Sequence, residues 1–235
     1  EEGIVSEGYE PYTDNLTLMN ELAKIIRKNR EHRGSIDFDS DEAKIIADET
    51  GKPIDVILRE RGTGEMMIED FMIAANETVA SHVYWMSLPF VYRVHEVPKE
   101  EKIRSFLGFI GTLGYNVAGD IKDTKPTTMQ RLLEHLRDKP EFKILSSLLL
   151  RSMQKAVYDR TNIGHFGLAS KCYTHFTSPI RRYPDTTVHR LLRTYLVDKS
   201  INADTIKYWE QKLVSLAEHT SERERASIEC EREVD

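Results

Sequence analysis

The chain has 235 residues, a formal net charge of −6, 40% hydrophobic residues and 31% charged residues. These proportions are ordinary for a soluble globular protein that buries one substantial core. No apolar run approaches the ~20 residues that a membrane-spanning helix requires, so we expect no membrane partner. Cys172 and Cys230 are the only cysteines, which excludes a disulfide framework and favours the cytoplasm.

The first quarter of the chain predicts a helix followed by short strands. Between Asn15 and Arg30, apolar residues recur at spacings of three and four, which indicates an amphipathic helix that Gly34 ends. We expect residues 1–14 to form a poorly ordered or linking edge. Strands are then predicted over Ser35–Phe38, Lys44–Asp48 and Ile54–Glu60, with residues 49–53 as a hairpin turn.

The rest of the chain is predicted to be mainly helical. The predicted helices cover Glu65–Met86, Lys99–Leu113, Thr127–Arg137, Phe142–Ala156 and Asn202–Val234, the last broken near Leu216. Phe90–His95 is a predicted strand, and residues 157–168 combine a turn with a short strand. We expect one α+β domain over residues 15–235, with a mixed or antiparallel sheet packed by long helices and incomplete as given.

A positive block stands out against the acidic background. Residues 165–193 contain four arginines and one acid, Asp185. Ser178 and Pro179 stand in the order that suits a helix start, where free N–H groups and guanidinium groups bind phosphate. Pro184 complicates this helix, because it removes a backbone hydrogen bond, so a kink or a later start is also expected.

The same block resembles a known family. TSPIRRYPDTTVHRLL at residues 177–192, preceded by HFGL and YTHF, is similar to the signature of the RNB catalytic domain of ribonucleases II and R. Residues 33–80 and 217–235 fit the same family, and the sequence most resembles that of ribonuclease R from low-GC Gram-positive bacteria. The resemblance implies an RNB-type fold and processive 3′→5′ hydrolysis of single-stranded RNA to nucleoside 5′-monophosphates.

The resemblance assigns a phosphate-binding role to one arginine. Arg181 matches the active-site arginine that binds the phosphate of the scissile linkage, and a planar donor fork suits two phosphate oxygens. The alternative is a surface arginine paired with Asp185. Arg182 also matches the motif, but neighbouring helix residues point in different directions, so we expect one of the two to be structural.

Further RNA contacts follow from the resemblance, each with a structural alternative. Glu69 matches a glutamate that contacts a ribose hydroxyl, or it forms a structural salt bridge; Asn76 lies seven residues on along the same helix face. Phe38 matches a phenylalanine that stacks on the terminal bases, or it is a core residue. Glu231 matches a glutamate near the last nucleotide, or it belongs to a solvated helix face.

The residues around the motif leave other roles open. Ser178 is a candidate contact through the phosphate site described above. Tyr173 and His175 alternate in strand fashion before the motif, so they either touch nucleotides or line the wall of a cavity. His189 is either a metal ligand or proton shuttle, or more often a hydrogen-bonded core histidine.

The metal site of the family is expected outside this chain. Family members hold Mg²⁺ with a cluster of aspartates, yet residues 1–37 contain only Asp14 and Asp37. Asp37, Asp39 and Asp41 could share a strand face and bind a cation, although their loop lacks the glycine and distal glutamate of a calcium-binding loop. We expect Mg²⁺ ligands upstream, flanking cold-shock-like and S1 domains, and no activity from this segment alone.

The alternative to an enzyme is a catalytically inactive RNB-like scaffold that binds RNA without metal. Aspartates upstream would separate the two hypotheses, because an intact cluster favours the enzyme and a substituted one favours the scaffold.

Overall fold

The computed structural model describes residues 7–37, 42–59, 61–115 and 124–234. These residues form helices packed with two small antiparallel sheets, so the predicted α+β class is confirmed. Phe38, Asp39 and Asp41 lie outside the described residues. Within the described part, no helix combines the length and apolar composition that crossing a membrane requires.

The N-terminal elements are two long helices and the hairpin between them. A short 3₁₀ turn precedes helix α1 (Thr13–Arg33), which is capped by Gly34 at a φ of +99°, a conformation that favours glycine. The turn between the two strands closes where Gly51 N–H donates to the Asp48 carbonyl, as predicted. The elements are α1 (Thr13–Arg33), β1 (Glu42–Ala47), β2 (Pro53–Arg59) and α2 (Thr63–Trp85).

The C-terminal elements pair one short sheet with five helices. Strands β3 (Tyr92–Val94) and β4 (Val157–Asp159) are antiparallel, with Arg93 opposite Tyr158. A π-helical turn, Arg193–Val197, follows the helix that carries the motif. The elements are β3 (Tyr92–Val94), α3 (Glu100–Thr112), α4 (Pro126–Leu136), α5 (Phe142–Ser152), β4 (Val157–Asp159), α6 (Tyr183–Leu192) and α7 (Ala203–Val234).

The apolar face predicted for α1 is not a buried face in this structure. Ala23 is its one buried residue, whereas the other predicted members are partly or largely exposed. Charge holds α1 to α2 instead, because Arg27 Nη2 lies 2.7 Å and Arg30 Nη2 3.0 Å from the buried carboxylate of Asp70. Leu16, Met19 and Leu22 of the predicted face are exposed, and Ile26 is partly buried.

The strand predicted at the end of α1 is wrong over its described residues. Ser35 N–H donates to the Arg30 carbonyl at 3.1 Å and so completes the end of the helix. Ile36 N–H donates to the Gly167 carbonyl at 2.8 Å, a single link across the chain rather than a ladder. The segment therefore fastens the end of α1 to the loop after β4.

Two hydrophobic clusters form the interior of the described chain. One lies among α2, β3, β4, α6 and α7, and the other among α3, α4 and α5. The break predicted in α7 near Leu216 is wrong, because Leu213, Leu216, Ala217 and Ser221 form one continuous buried stripe. Ser221 Oγ also accepts the Tyr158 N–H at 3.0 Å, which ties α7 to β4. The first cluster supports the candidate site.

Candidate functional site

A tight turn leads into the helix that carries the motif. Helix α6 begins at Tyr183 and not after Ser178, with Arg182 in an extended conformation before it. Pro184 occupies the second helical position, where a missing N–H is harmless. Residues 178–182 close as a turn in which Arg182 N–H donates to the Ser178 carbonyl at 3.0 Å. The later start that Pro184 suggested is therefore correct.

Asp185 fixes this turn from inside the protein. Its carboxylate is fully buried, and one oxygen accepts both Ser178 N–H at 2.7 Å and an Arg182 Nη2 hydrogen at 2.9 Å. The Ser178 N–H is thus engaged by protein and is not a free phosphate donor. Arg182 is the structural member of the arginine pair, and it neutralises the buried charge.

The side chain of Arg181 has different surroundings from that of Arg182. Its side chain is exposed, and within the described part of the chain it has no hydrogen-bond or ion-pair partner. The alternative in which it pairs with Asp185 is wrong, since Arg182 takes that place. The turn therefore presents to solvent one guanidinium group that no described residue neutralises.

A cavity of about 690 Å³ lies between α1 and α4, and a second of about 540 Å³ lies beside the turn. The second contains four of the predicted site residues, because α2 and the segment before the turn face each other there. Arg181, Ser178 and His175 do not line it. Its lining is Gly64, Glu65, Ile68, Glu69, Met72, Ile73, Asn76, Tyr173 and Arg182.

Glu69 stands at the edge of this cavity as one member of a charge bridge. Arg61 Nη2 lies 2.5 Å from its carboxylate, and Arg61 Nη1 lies 3.6 Å from that of Asp37. The salt bridge suggested as an alternative for Glu69 is therefore present. Its side chain nevertheless remains 42% exposed, so a carboxylate lone pair is accessible to a ligand hydroxyl.

Asn76 is a structural link at the base of the cavity. It is buried, its Nδ2 donates to the Tyr173 hydroxyl at 3.0 Å, and its Oδ1 accepts the Phe176 N–H at 2.9 Å. Both ends of the amide are therefore engaged by protein. Asn76 and Tyr173 hold the segment before the turn against α2, and Tyr173 also contributes an aromatic wall.

The histidines near the turn are neutral or engaged. Burial, together with the cations of Arg182 and Arg93, lowers the pKa of His175 to about 2. Its Nδ1 lies 2.7 Å from the Tyr158 hydroxyl. His189 is exposed, stacks on Phe176 and bonds its carbonyl through Nε2 at 2.9 Å, so the core location expected for it is wrong while the hydrogen bond is confirmed.

The structure does not bring every candidate together. Glu231 is exposed in the last turns of α7 and does not line the cavity beside the turn. Phe38 and two of the acids in its loop fall outside the described residues, so their arrangement with Asp37 is untested. Across the described ranges, no group of three histidine, cysteine or acidic side chains is placed to hold a metal ion.

A family model for the RNB domain matches residues 2–198. The chain belongs to the RNB domain family. Ribonuclease R 1 of Lactococcus lactis is 46% identical over 229 residues, which cover 97% of this chain and 28% of that protein. Ribonuclease R of Thermotoga maritima is 46% identical over 95% of this chain and 32% of its own length. The resemblance to ribonuclease R is confirmed, and the chain spans about a third of these relatives.

A solved structure shares the fold. The structure described as Mycoplasma genitalium RNase R in complex with ribose-methylated single-stranded RNA superposes with a TM-score of 0.93 at 32% identity. The match covers 98% of this RNB chain and 36% of that one. The RNB-type fold expected from the sequence is therefore confirmed.

Sequence reasoning missed three residues that organise the site. Arg61 bridges two acids, and Arg93 lies with its guanidinium carbon 4.5 Å above the ring of Tyr158. Arg93 and Tyr158 are separated along the chain and carry no local pattern. Arg61 lies eight residues before Glu69, and the need of a carboxylate near a core edge for a partner was the available signal for it.

Proposed function

We propose that this chain is the RNA-gripping part of a hydrolytic exoribonuclease that removes nucleotides from the 3′ end of single-stranded RNA as 5′-monophosphates. The observation that carries the proposal is the exposed guanidinium of Arg181, which has no partner among the described residues and lies on a turn whose other arginine is neutralised. Membership of the RNB family supports the reaction class. Neither observation alone would specify this function.

Arg181 binds the phosphate of the terminal linkage. Its planar fork reaches two non-bridging oxygens, and the contact strengthens as negative charge builds on them during attack. Arg182 cannot do the same without exposing the buried carboxylate of Asp185, which it neutralises. The two adjacent arginines therefore have different roles: Arg182 stabilises the turn through Asp185, and Arg181 binds the substrate phosphate.

Glu69 and the cavity beside it recognise the nucleoside. A carboxylate lone pair accepts a hydrogen bond from a ribose hydroxyl, and a 2′-hydroxyl is what distinguishes RNA from DNA. The Arg61 bridge holds this carboxylate in place. Tyr173 and the apolar side chains of α2 form walls against which bases lie, and Phe38 stacks on the terminal bases.

Glu231, Ser178 and Asn76 take lesser parts in this proposal. Glu231 contacts the last nucleotide only if the RNA extends toward the end of α7, where that side chain is exposed. Ser178 contributes through its hydroxyl, because its N–H is engaged. Asn76 acts by fixing Tyr173, since both of its amide ends bond to protein.

The described residues do not fit the magnesium ions of the reaction. The acids nearest the cavity are engaged by protein, as Glu65 is by the Gly62 N–H, Glu69 by Arg61 and Asp185 by Arg182. We propose, as the family resemblance implies, that the Mg²⁺ ligands are supplied from outside this chain. Flanking cold-shock-like and S1 domains of the same protein complete the proposed path of the RNA.

Ribonucleotide release tests the proposal. The purified chain and the full-length protein that carries it are each given poly(A) and Mg²⁺, and AMP is measured. We expect AMP from the full-length protein and none from the chain. AMP from the chain would overturn the placement of the metal site, and RNA binding without AMP release by the full-length protein would favour the inactive scaffold.

A further inference from the structure

A continuous line of contacts joins helix α7 to the segment before the arginine turn. Glu224 Oε2 accepts a hydrogen bond from Arg93 Nη1 at 2.7 Å. The Arg93 guanidinium lies over the ring of Tyr158, 4.5 Å from its centroid. The Tyr158 hydroxyl lies 2.7 Å from His175 Nδ1. Arg181 is close enough for its charge to contribute to the lowered pKa of His175, so the line ends near the proposed phosphate contact.

The two groups at the end of this line keep fixed protonation states. Burial and the nearby arginines lower the pKa of His175 to about 2, and burial raises the pKa of Tyr158 to about 12. At physiological pH the imidazole therefore carries one proton and the phenol keeps its own. His175 is therefore a neutral group at physiological pH.

The hydrogen bond between them selects one tautomer. Tyr158 is buried, and its hydroxyl has no second partner in the described part of the chain. A buried O–H needs an acceptor, so the phenol donates and Nδ1 of His175 accepts. The single imidazole proton is then on Nε2. This nitrogen has no hydrogen-bond partner among the described residues and is not fully buried, so it is accessible to solvent.

The surrounding charges specify what this N–H meets. Three guanidinium groups act on His175, those of Arg182, Arg93 and Arg181. Arg182 is neutralised by Asp185 and Arg93 by Glu224, which leaves the charge of Arg181 uncompensated in the described structure. An anion is therefore the ligand expected beside His175, and a neutral donor adds a hydrogen bond there without adding to the repulsion among the cations.

We propose that His175 Nε2–H donates a hydrogen bond to a non-bridging phosphate oxygen of the RNA strand that Arg181 binds, and that Tyr158 is the positioning residue that holds the proton on Nε2. The inference rests on the proposed function and adds a second, uncharged phosphate contact to it. Arg93 and Glu224 extend the support, because they fix the ring of Tyr158 from α7.

Two substitutions at one position separate the donor from the ring. In the full-length protein, His175→Gln retains an N–H near the place of Nε2, whereas His175→Leu removes it. Binding to a short oligo(A) is measured in EDTA, which prevents cleavage. Loss of one hydrogen bond to a charged acceptor predicts about 10- to 100-fold weaker binding for the leucine variant, with the glutamine variant close to wild type. Equal affinities for all three proteins would overturn the proposal.

The RNA itself identifies the acceptor. One methylphosphonate linkage near the 3′ end removes a phosphate charge, and a 2′-deoxy substitution at the same nucleotide removes a ribose hydroxyl. We expect the methylphosphonate to weaken binding by the wild type much more than by His175→Leu, because both changes remove the same contact. The deoxy substitution should weaken both proteins equally. A deoxy effect that disappears in the leucine variant would show a ribose contact and contradict the proposal.

The tautomer has its own matched controls. Tyr158→Phe removes the phenol that donates to His175 and should weaken oligo(A) binding, with the effect absent in the His175→Leu background. Tyr195→Phe removes a buried phenol that donates to the Pro89 carbonyl at 2.9 Å, and should leave binding unchanged. If His175→Leu fails to fold by circular dichroism, His175→Asn, whose amide is too short to reach the place of Nε2, replaces it.

Failure of the proposed function looks different from failure of this inference. A wild-type protein that neither binds oligo(A) nor releases AMP would refute the function. A wild-type protein that does both, with binding indifferent to Tyr158→Phe and to both His175 variants, would refute only the phosphate contact of His175.

Discussion

The buried ion pair between Arg182 and Asp185 should hold the turn that presents Arg181. The Asp185 carboxylate is fully buried, and 22% of the Arg182 side chain is exposed. Replacing Asp185 with asparagine keeps the size of the side chain and an acceptor for Ser178 N–H, but leaves Arg182 without a counter-charge. Breaking one partner of a buried pair costs 3–5 kcal/mol in general, so we expect about 3 kcal/mol for this partly exposed one.

A double-mutant cycle measures the pair directly. Asp185→Asn, Arg182→Met and the double variant of this chain are unfolded with urea, and the free energy of unfolding is extrapolated to water. Asp185→Asn leaves the charge of Arg182 unpaired, and Arg182→Met then removes that charge. The free energy of unfolding of the double variant should therefore fall by about 2 kcal/mol less than the sum of the two single losses. Losses that add to within about 0.5 kcal/mol would refute the reasoning, because they would mean that the pair contributes nothing.

Two further predictions concern stability. Gly34→Ala should destabilise the protein strongly, because the added Cβ would lie 2.6 Å from Thr127 Cγ2 at a φ of +99°. Gly51→Ala has a similar φ of +86° but no atom near the added Cβ, so it should lose only about 1–2 kcal/mol. Equal falls in Tm for the two variants would contradict this prediction. Burial lowers the pKa of His165 to about 3 and that of His175 to about 2. Below about pH 6.5 these two histidines therefore take up protons in the unfolded chain but not in the folded one. The free energy of unfolding should fall by about 2 kcal/mol per histidine from pH 7 to 5. Urea unfolding at pH 7 and pH 5 measures this fall. His175→Gln should lose about 2 kcal/mol less between the two pH values than the wild type does, and an equal loss in both proteins would contradict the prediction.

Local periodicity predicted most helices, because it depends only on neighbouring residues. The helix predicted over Glu65–Met86 is α2 within two residues at each end. The face of α1 and the continuity of α7 could not be predicted, because distant contacts decide them. Arg27 bonds Asp70 from 43 positions away, and Arg93 bonds Glu224 from 131 positions away. No window of sequence contains both members of such pairs.

The candidate site divides in the same way. The family resemblance selected Glu69 and Arg182, local patterns selected Asn76 and Tyr173, and the structure places all four around one cavity. Residue patterns alone could not decide which of two adjacent arginines is free, because that depends on the backbone of the turn before Pro184; the family resemblance selected Arg181, and the structure pairs Arg182 with Asp185 instead. The amide of Asn76 was likewise a plausible RNA contact until both of its ends were seen to bond to protein.

The measurement that tests the account most directly is the effect of Arg181→Ala on turnover and on RNA affinity in the full-length protein. Since the phosphate contact strengthens in the transition state, kcat should fall about 100- to 1000-fold, while affinity for oligo(A) falls far less. Arg190→Ala, which changes an exposed arginine of α6 outside the site, serves as the matched control and should alter neither. Equal losses of turnover and affinity on changing Arg181, or no loss of either, would contradict the claim that this guanidinium grips the phosphate during cleavage.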